Sequence, residues 1–194
     1  MIREAIQAIL ACLITFVVCA VLYPLLVWGI ARGAFPSQAE GSLIRNKDGV
    51  VIGSELIAQP FASEIYFQSR PSAVDYKADA TGGSNLGTKN PDLRKKVIER
   101  AEAWKASAAT PLPVELATAS GSGMDPHLTP EAASYQIARV AAARKMSVDQ
   151  VKAIIQKHVE YDDAILGAPT RVNVLRLNLD LDEQQVLQSN HPKS

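Results

Sequence analysis

The chain contains one uncharged apolar run of 27 residues, from Ala5 to Ala31, which limits its possible folds more than any other feature. As an α-helix this run would be about 40 Å long, which exceeds the roughly 30 Å hydrocarbon core of a bilayer. It therefore predicts one membrane-spanning helix, and we assign residues 1–33 to this anchor. Pro24 is the expected bend, which would let the long helix fit the bilayer.

Two other interpretations of the run are a cleaved signal peptide and a buried core helix. A weak small-x-small cleavage site is present at residues 31–33. However, the apolar core of a signal peptide is usually only about 7–15 residues long, and core helices rarely lack charge over so many residues. An uncleaved anchor is therefore favoured. Its orientation stays open at this point, because large domains translocate largely regardless of flanking charge.

The rest of the chain predicts one neutral, mixed α/β domain. The whole sequence has 20 basic and 20 acidic residues, a balance that argues against a nucleic-acid-binding protein. Both cysteines, Cys12 and Cys19, lie inside the apolar run, so the domain has no disulfide and no thiolate chemistry. We place the domain at residues 34–185 and a polar tail at residues 186–194.

Local signals predict a hairpin and three helices in this domain. The pair Asp48-Gly49 supplies the tight turn of a hairpin over residues 42–53. The helices are one with Asn90 as N-cap and Pro91 as first residue, one from Thr129 to about Lys145, and one that a Ser147–Gln150 capping box starts and that runs to about Tyr161.

Alternation of apolar and polar residues predicts two further strands. One covers residues 114–118, and the other covers residues 171–182, where every second residue from 175 to 181 is leucine. Between the hairpin and the first helix, residues 61–76 are rich in aromatic residues and proline and indicate a structured loop. The order β-β-α-β-α-α-β favours a single mixed α/β domain over a sandwich or a bundle.

A first glycine-rich loop, residues 82–89, has the G-x-x-x-x-G frame of a phosphate-binding loop. In a phosphate loop, lysine and then a hydroxyl residue follow the second glycine, whereas here Thr88 precedes Lys89. A structured turn or a partner-facing loop is therefore favoured over nucleotide binding. If nucleotide did bind here, the candidate residues would be Gly83, Ser84 and Asn85.

A second glycine-rich loop, residues 120–127, brings serine, aspartate and histidine together and raises the alternative of a membrane-anchored hydrolase. The G-x-S-x-G motif of a nucleophile elbow is absent, and such close neighbours would struggle to reach triad geometry. Turn and helix-cap chemistry is the simpler interpretation, and we assign no catalytic residue. The weak candidates for ligand contact in this loop are Ser120, Gly121, Ser122 and Gly123.

The sequence predicts no metal site. The three histidines are His127, His158 and His191, and no two of them are four residues apart. Acidic clusters at residues 162–163 and 180–183 lack a calcium-loop pattern, and we expect them to be solvated surface. An anchor joined to a domain without a complete catalytic constellation fits a subunit of a membrane assembly better than a free enzyme.

Six residues are candidates for contact with such partners. A polar side chain inside a span is costly in lipid unless another helix covers it. The candidates are Gln7, Ala11 and Thr15 in the span, and Tyr66, Phe67 and Arg70 in the aromatic-rich loop.

Several separate blocks of this sequence, in order behind one N-terminal span, resemble the C subunit of the Kdp potassium-transporting P-type ATPase of bacteria. The resemblance covers nearly the whole chain. The family often has leucine where this chain has Met124, a swap that conserves volume. The blocks are Gly53-Ser-Glu-Leu-Ile, Tyr66-Phe-Gln-Ser-Arg-Pro-Ser-Ala73, Gly83-Ser-Asn-Leu-Gly87 with Asn90-Pro91, Thr118-Ala-Ser-Gly-Ser-Gly-Met-Asp-Pro-His127, and Val172-Asn-Val-Leu175 with Leu177-Asn-Leu179.

This resemblance implies a single-pass protein of the bacterial inner membrane, with its N-terminus in the cytoplasm and its domain outside. It implies two partners, a channel-like subunit that selects K⁺ and a P-type subunit that hydrolyses ATP. The family is described as a catalytic chaperone that raises the ATP affinity of the catalytic subunit. ATP and K⁺ would then act through the complex, because an external domain cannot touch cytoplasmic ATP. Membrane-anchored hydrolase and nucleotide-binding module are the alternatives.

Overall fold

The structure is a computed structural model that describes residues 1–161 and 167–190, and the side chains as far as residue 187. The described residues form two units, Met1–Ile52 and a second unit that begins at Gly53. The second unit mixes helices with short strands, as the sequence predicts.

The first unit begins with one continuous helical segment, Ile2–Ala34, of 33 residues. Its mean hydropathy reaches 2.7 and none of its most apolar part is buried, so it is long and apolar enough to cross a membrane. It consists of α1 (Ile2–Phe16), a π-helical segment (Val17–Leu22) and α2 (Tyr23–Ala34).

The π-helical segment lies directly before Pro24, where the sequence predicts a bend. Proline lacks an N–H, and in a regular helix its ring would clash with the carbonyl group of Ala20. At the end of the segment, the N–H of Tyr23 donates to the oxygen of Val18, five residues earlier. A local π-helical turn of this kind is a known way to accommodate proline inside a span.

A short helix, α3 (Pro36–Ala39), and a two-stranded sheet follow the span. The strands are β1 (Leu43–Arg45) and β2 (Val51–Ser54), which confirms the predicted hairpin. The turn contains Gly49 at φ +78°. The side-chain oxygen of Asn46 accepts hydrogen bonds from the backbone of Asp48 and Val50, at 3.0 and 2.9 Å. Asn46 therefore stabilises the turn together with Asp48-Gly49.

The first helix of the second unit, α4 (Pro91–Ala103), begins as predicted. Asn90 is its N-cap and accepts a hydrogen bond from the N–H of Asp92 at 2.9 Å. The residues of α4 that face the body of the unit follow helical spacing, and the cap residue Trp104 packs against the core.

Residues 114–118 were predicted as a strand, and this prediction is wrong. They contain a short helix, α5 (Val114–Ala117), whose adjacent residues Leu116 and Ala117 are both buried. Neighbouring residues of a strand point to opposite faces, so two buried neighbours suit a helix better. The hydroxyl group of Thr118 donates to the oxygen of Val114 at 2.8 Å and closes the turn.

The predicted helix from Thr129 is present in two parts, α6 (Pro130–Tyr135) and α7 (Ile137–Arg144). The two parts meet at Gln136, whose fully buried side chain accepts a hydrogen bond from the N–H of Gln68 at 2.8 Å and donates one to the oxygen of Gln68 at 3.0 Å. The end of α7 is marked by a left-handed residue, Lys145, at φ +56°.

The Ser147–Gln150 capping box is confirmed at the start of α8 (Val148–Lys157). This helix ends before the predicted Tyr161, because Val159–Glu160 form strand β4.

The last predicted strand, residues 171–182, is wrong beyond Asn173. Strand β5 covers Arg171–Asn173, and helix α9 covers Val174–Asn190. Val174, Leu177 and Leu181 are buried at spacings of three and four residues, which is a helical pattern. The predicted tail therefore begins inside α9, and residues 191–194 lie outside the described residues.

A three-stranded antiparallel sheet in the order β3–β5–β4 closes the second unit, with β3 formed by His127–Leu128. Val172 lies at its centre, opposite Leu128 on one side and Val159 on the other. The core packs around this sheet and includes Phe67, Leu116, Val140, Val151, Ile155, Val172, Leu177 and Leu181.

Candidate functional site

The two glycine-rich loops lie against each other. The N–H of Gly82 donates to the oxygen of Ser122 at 2.9 Å. A Cβ atom added to Gly83 would lie 2.9 Å from the oxygen of Gly121, and one added to Gly123 would lie 2.8 Å from the oxygen of Gly82. These glycines are therefore required for close contact between two backbones. A phosphate-binding loop would instead point its N–H groups at a ligand.

The serines of the second loop bond their own loop. Ser120 is 2% exposed, and its Oγ accepts a hydrogen bond from the N–H of Gly123 at 2.8 Å. Its own N–H donates to the oxygen of Pro71 at 2.9 Å. The Oγ of Ser122 accepts from the N–H of Met124 at 3.2 Å. Gly123 has φ +71°, a conformation that side chains rarely adopt.

Within the described residues, the other candidates in the first loop, Ser84 and Asn85, have no close backbone contact of the kind that Gly83 makes with Gly121. Asn85 has φ +52°, which asparagine tolerates better than most residues. Ser84 is half-buried, and Lys89, two residues after Gly87 in the sequence, is exposed.

Asp125 and His127 form a polar cluster with Arg70, not a triad with the serines. Nη1 of Arg70 lies 3.1 Å from Oδ2 of Asp125, and Nδ1 of His127 lies 3.6 Å from Oδ1 of the same carboxylate. Within the described ranges, no hydrogen bond connects His127 to Ser120 or Ser122.

The carboxyl group of Asp125 is held in its charged form. Burial alone would raise its pKa, but the ring and backbone N–H of His127 and the charge of Arg70 together lower it. The backbone N–H of His127 donates to Oδ1 of Asp125 at 3.0 Å. A cavity of about 260 Å³ borders this cluster, and Glu115 and Thr129 also line it. The cluster ties the aromatic-rich loop to the loop before β3.

The aromatic-rich loop is fixed to α7 and α9 by a buried arginine. The side chain of Arg144 is fully buried, and its Nη2 lies 2.7 Å from Oδ1 of Asp182. Its Nε donates to the oxygen of Ile65 at 2.6 Å, and its guanidinium group lies 5.1 Å from the ring centre of Tyr66. Burial and the hydrogen bond to Asp182 raise the pKa of Tyr66.

Phe67 is not available to a partner, because it is fully buried in the core. Its N–H donates to the side-chain oxygen of Asn178 at 2.8 Å, and its oxygen accepts from Nδ2 of Asn178 at 2.9 Å. We therefore remove Phe67 from the candidates for partner contact. Tyr66 and Arg70 remain partly exposed.

The three candidates in the span are all exposed. Ala11 and Thr15 line a shallow groove of about 540 Å³ together with Cys12, Cys19 and neighbouring residues. Gln7 lies one turn before Ala11 on the same face of α1.

No group of three potential metal ligands occurs among residues 1–161 and 167–190. Two acidic residues of the 180–183 cluster, which the sequence predicts to be solvated surface, pair with neighbouring side chains and stay partly exposed. Asp180 lies 3.0 Å from Nε2 of His158, and Asp182 bonds Arg144 and Tyr66. The acidic pair at 162–163 and His191 lie outside the described residues.

Comparison with known proteins gives the family. A family model described as the c chain of the K⁺-transporting ATPase, KdpC, matches residues 5–183. The chain belongs to the KdpC family. Potassium-transporting ATPase KdpC subunits are 44% identical in Shewanella putrefaciens, over 93% of this chain and 92% of the relative, and 48% identical in Geobacter metallireducens, over 90% and 95%. The subunit of Citrifermentans bemidjiense is 48% identical over 94% and 98%.

The aromatic-rich loop of this KdpC chain is visible in the sequence, but the polar residues that hold it were not among the predicted site residues. Each of three polar residues bonds the backbone of the aromatic-rich loop: Gln136 from the break between α6 and α7, Arg144 from the end of α7, and Asn178 from within α9. Asn178 stands among leucines in α9, and an amide inside an apolar helix face could have signalled a buried partner.

Proposed function

We propose that the chain is the membrane-anchored, non-catalytic C subunit of a bacterial potassium-transporting ATPase complex. The family match over residues 5–183 carries this proposal. Its relatives are named as subunits of that ATPase. The apolar helix Ile2–Ala34 supports an anchor in the inner membrane.

In this proposal the protein crosses the membrane once, with its N-terminus in the cytoplasm and its second unit outside. Gln7, Ala11 and Thr15 face a helix of the channel-like, K⁺-selecting subunit. The exposed state of all three side chains supports this, because an amide such as that of Gln7 is costly in lipid unless a partner covers it. The external unit stabilises the complex near the ion entrance.

The second proposed partner is the P-type subunit that hydrolyses ATP, and the chain raises its affinity for ATP. An external unit acts on a cytoplasmic nucleotide site through a coupling free energy. The contact between the two glycine-rich loops supports an indirect effect, because the N–H of Gly82 bonds the oxygen of Ser122 and Gly83 lies in close contact with Gly121.

Cysteine labelling tests the orientation. Both natural cysteines, Cys12 and Cys19, lie in the span and can be replaced with alanine. In that background, Lys89→Cys should react with a membrane-impermeant maleimide on intact spheroplasts, because Lys89 is exposed in the second unit. Ile2→Cys should react only after lysis. The reverse pattern would place the second unit in the cytoplasm and refute this orientation.

Nucleotide binding tests the role. We expect the ATP affinity of the complex to fall roughly 5- to 150-fold when this chain is removed, the range that typical coupling energies give. An unchanged affinity in the complex without this chain would contradict the proposed role.

A further inference from the structure

A small pocket in the second unit contains a buried hydroxyl group without a partner. The pocket has a volume of about 300 Å³, and Ser69 is one of its lining residues. Ser69 is 6% exposed, and among the described residues its Oγ has no hydrogen-bond partner. Buried polar atoms in proteins are nearly always bonded, and an unmatched one costs about 1–3 kcal/mol. A rotation of the Ser69 side chain that turns this hydroxyl group toward the pocket would let it bond an atom from outside the chain.

The walls of the pocket suit a flat apolar group. Phe61, Tyr76 and Trp104 supply aromatic surface, and Leu116 and two prolines supply aliphatic surface. The hydroxyl group of Tyr76 already donates to the oxygen of Arg70 at 2.8 Å, so it does not compete with Ser69 for a ligand. A volume of about 300 Å³ holds one aromatic side chain, and aromatic rings pack well against aromatic walls.

The pocket also carries one positive charge. Arg100 is the single charged residue that lines it. Nη1 of Arg100 donates to the oxygen of Ala117 at 2.8 Å. In the part of the chain that the structure describes, Arg100 has no ion pair. An unpaired guanidinium group at the wall of a pocket favours a carboxylate next to the bound ring.

We propose that this pocket receives one tyrosine side chain from an acidic segment of a partner subunit. The phenol hydroxyl of that tyrosine bonds Ser69 Oγ, its ring packs against Phe61 and Trp104, and a neighbouring carboxylate pairs with Arg100. This inference rests on the proposed function, because it requires an assembled complex. The contact surface lies in the second unit, outside the span.

Photo-crosslinking in the assembled complex locates the occupant. Ala62 lines the pocket and is exposed, so a benzoylphenylalanine at position 62 reports on whatever enters it. We expect a crosslink to a partner peptide in which a tyrosine has aspartate or glutamate next to it. The same probe at Ala143, exposed on α7, is the control and should not give this peptide. A complex that forms but gives no such peptide from position 62 overturns the inference and leaves the proposed function intact. Failure of the unmodified chain to enter the complex would instead refute the proposed function.

Two substitutions separate binding from folding. Arg100→Gln should lower the crosslink yield about tenfold, whereas Arg94→Gln, exposed on the same helix, should leave it unchanged. Ser69→Ala removes an unmatched hydroxyl, so it should keep or raise the melting temperature of the free chain and still reduce the crosslink yield several-fold. If Ser69→Ala lowers the melting temperature and leaves the yield unchanged, Ser69 is structural and the inference is wrong.

Discussion

Asp125 is a carboxyl group of the second unit whose lowered pKa links the stability of the protein to pH. It pairs with Arg70 and lies beside His127, and its pKa is lowered although burial opposes this. A carboxyl group with a lowered pKa in the folded state adds stability above the unfolded pKa, which is near 3.9. That contribution is lost as the pH falls through the lower, folded value.

We therefore expect Asp125→Asn to remove part of the acid sensitivity of the protein. At pH 7 the variant should lose about 1.5 kcal/mol of unfolding free energy, because a charge-assisted hydrogen bond becomes neutral. As the pH falls below about 4, the stability of the variant should decrease less steeply than that of the natural chain. Chemical denaturation of the full chain in detergent micelles, repeated across this pH range, measures both effects. Parallel stability curves for the two proteins would contradict this account of Asp125.

The glycines of the paired loops give a second prediction at the residue scale. Gly83→Ala places a methyl group 2.9 Å from the oxygen of Gly121, and Gly123→Ala adds strain at φ +71°. Each variant should lose about 1–3 kcal/mol of unfolding free energy. Gly121→Ala is the matched control, because its added Cβ meets nothing within 4 Å. If all three substitutions cost the same, close packing of the backbones does not explain these glycines.

At the scale of elements, the sequence predicted the helix caps well and one long element badly. The caps at Asn90, Thr129 and Ser147 depend on neighbours within three residues, so local pattern identifies them. The region after Asn173 alternates leucine with polar residues and looks like a strand. It forms a helix because its tertiary partners bury Val174, Leu177, Asn178 and Leu181 on one side.

The candidate site could also be predicted only in part, because it too depends on tertiary contacts. Both glycine-rich loops are visible in the sequence, but their contact joins residues about forty positions apart. The residues that line the pocket beside Trp104 come from positions 60 to 116. Contacts over such separations follow from the packing of the whole unit and leave no local periodic signal.

Asn178 connects α9 to the aromatic-rich loop, and its removal should loosen that loop. Asn178→Ala leaves both the N–H and the oxygen of Phe67 without partners inside the core. We expect a loss of about 2–4 kcal/mol of unfolding free energy. We also expect faster hydrogen exchange at residues 64–70. Glu183→Ala, exposed on the same helix, should change neither quantity. Unchanged exchange in the Asn178 variant would show that the loop is held by other contacts.

At the scale of the whole molecule, the chain combines a long apolar helix with a second unit whose two glycine-rich loops bond each other. The helix Ile2–Ala34 has no buried residue in its most apolar window. A surface of this kind requires lipid or a partner. Together with membership of the KdpC family, it supports a protein that works as a tethered part of an ion-transporting assembly.

Co-purification tests this central claim most directly. The ATP-hydrolysing subunit of the complex is tagged and isolated from membranes that also contain the channel-like subunit and either the full chain or a variant without residues 1–33. Lys89→Ala in the full chain, a change at an exposed loop residue, is the control for altered sequence. We predict that the full chain and the control co-purify in fixed stoichiometry and that the shortened chain is absent. A full chain that stays behind, or a shortened chain that assembles equally well, would contradict the account.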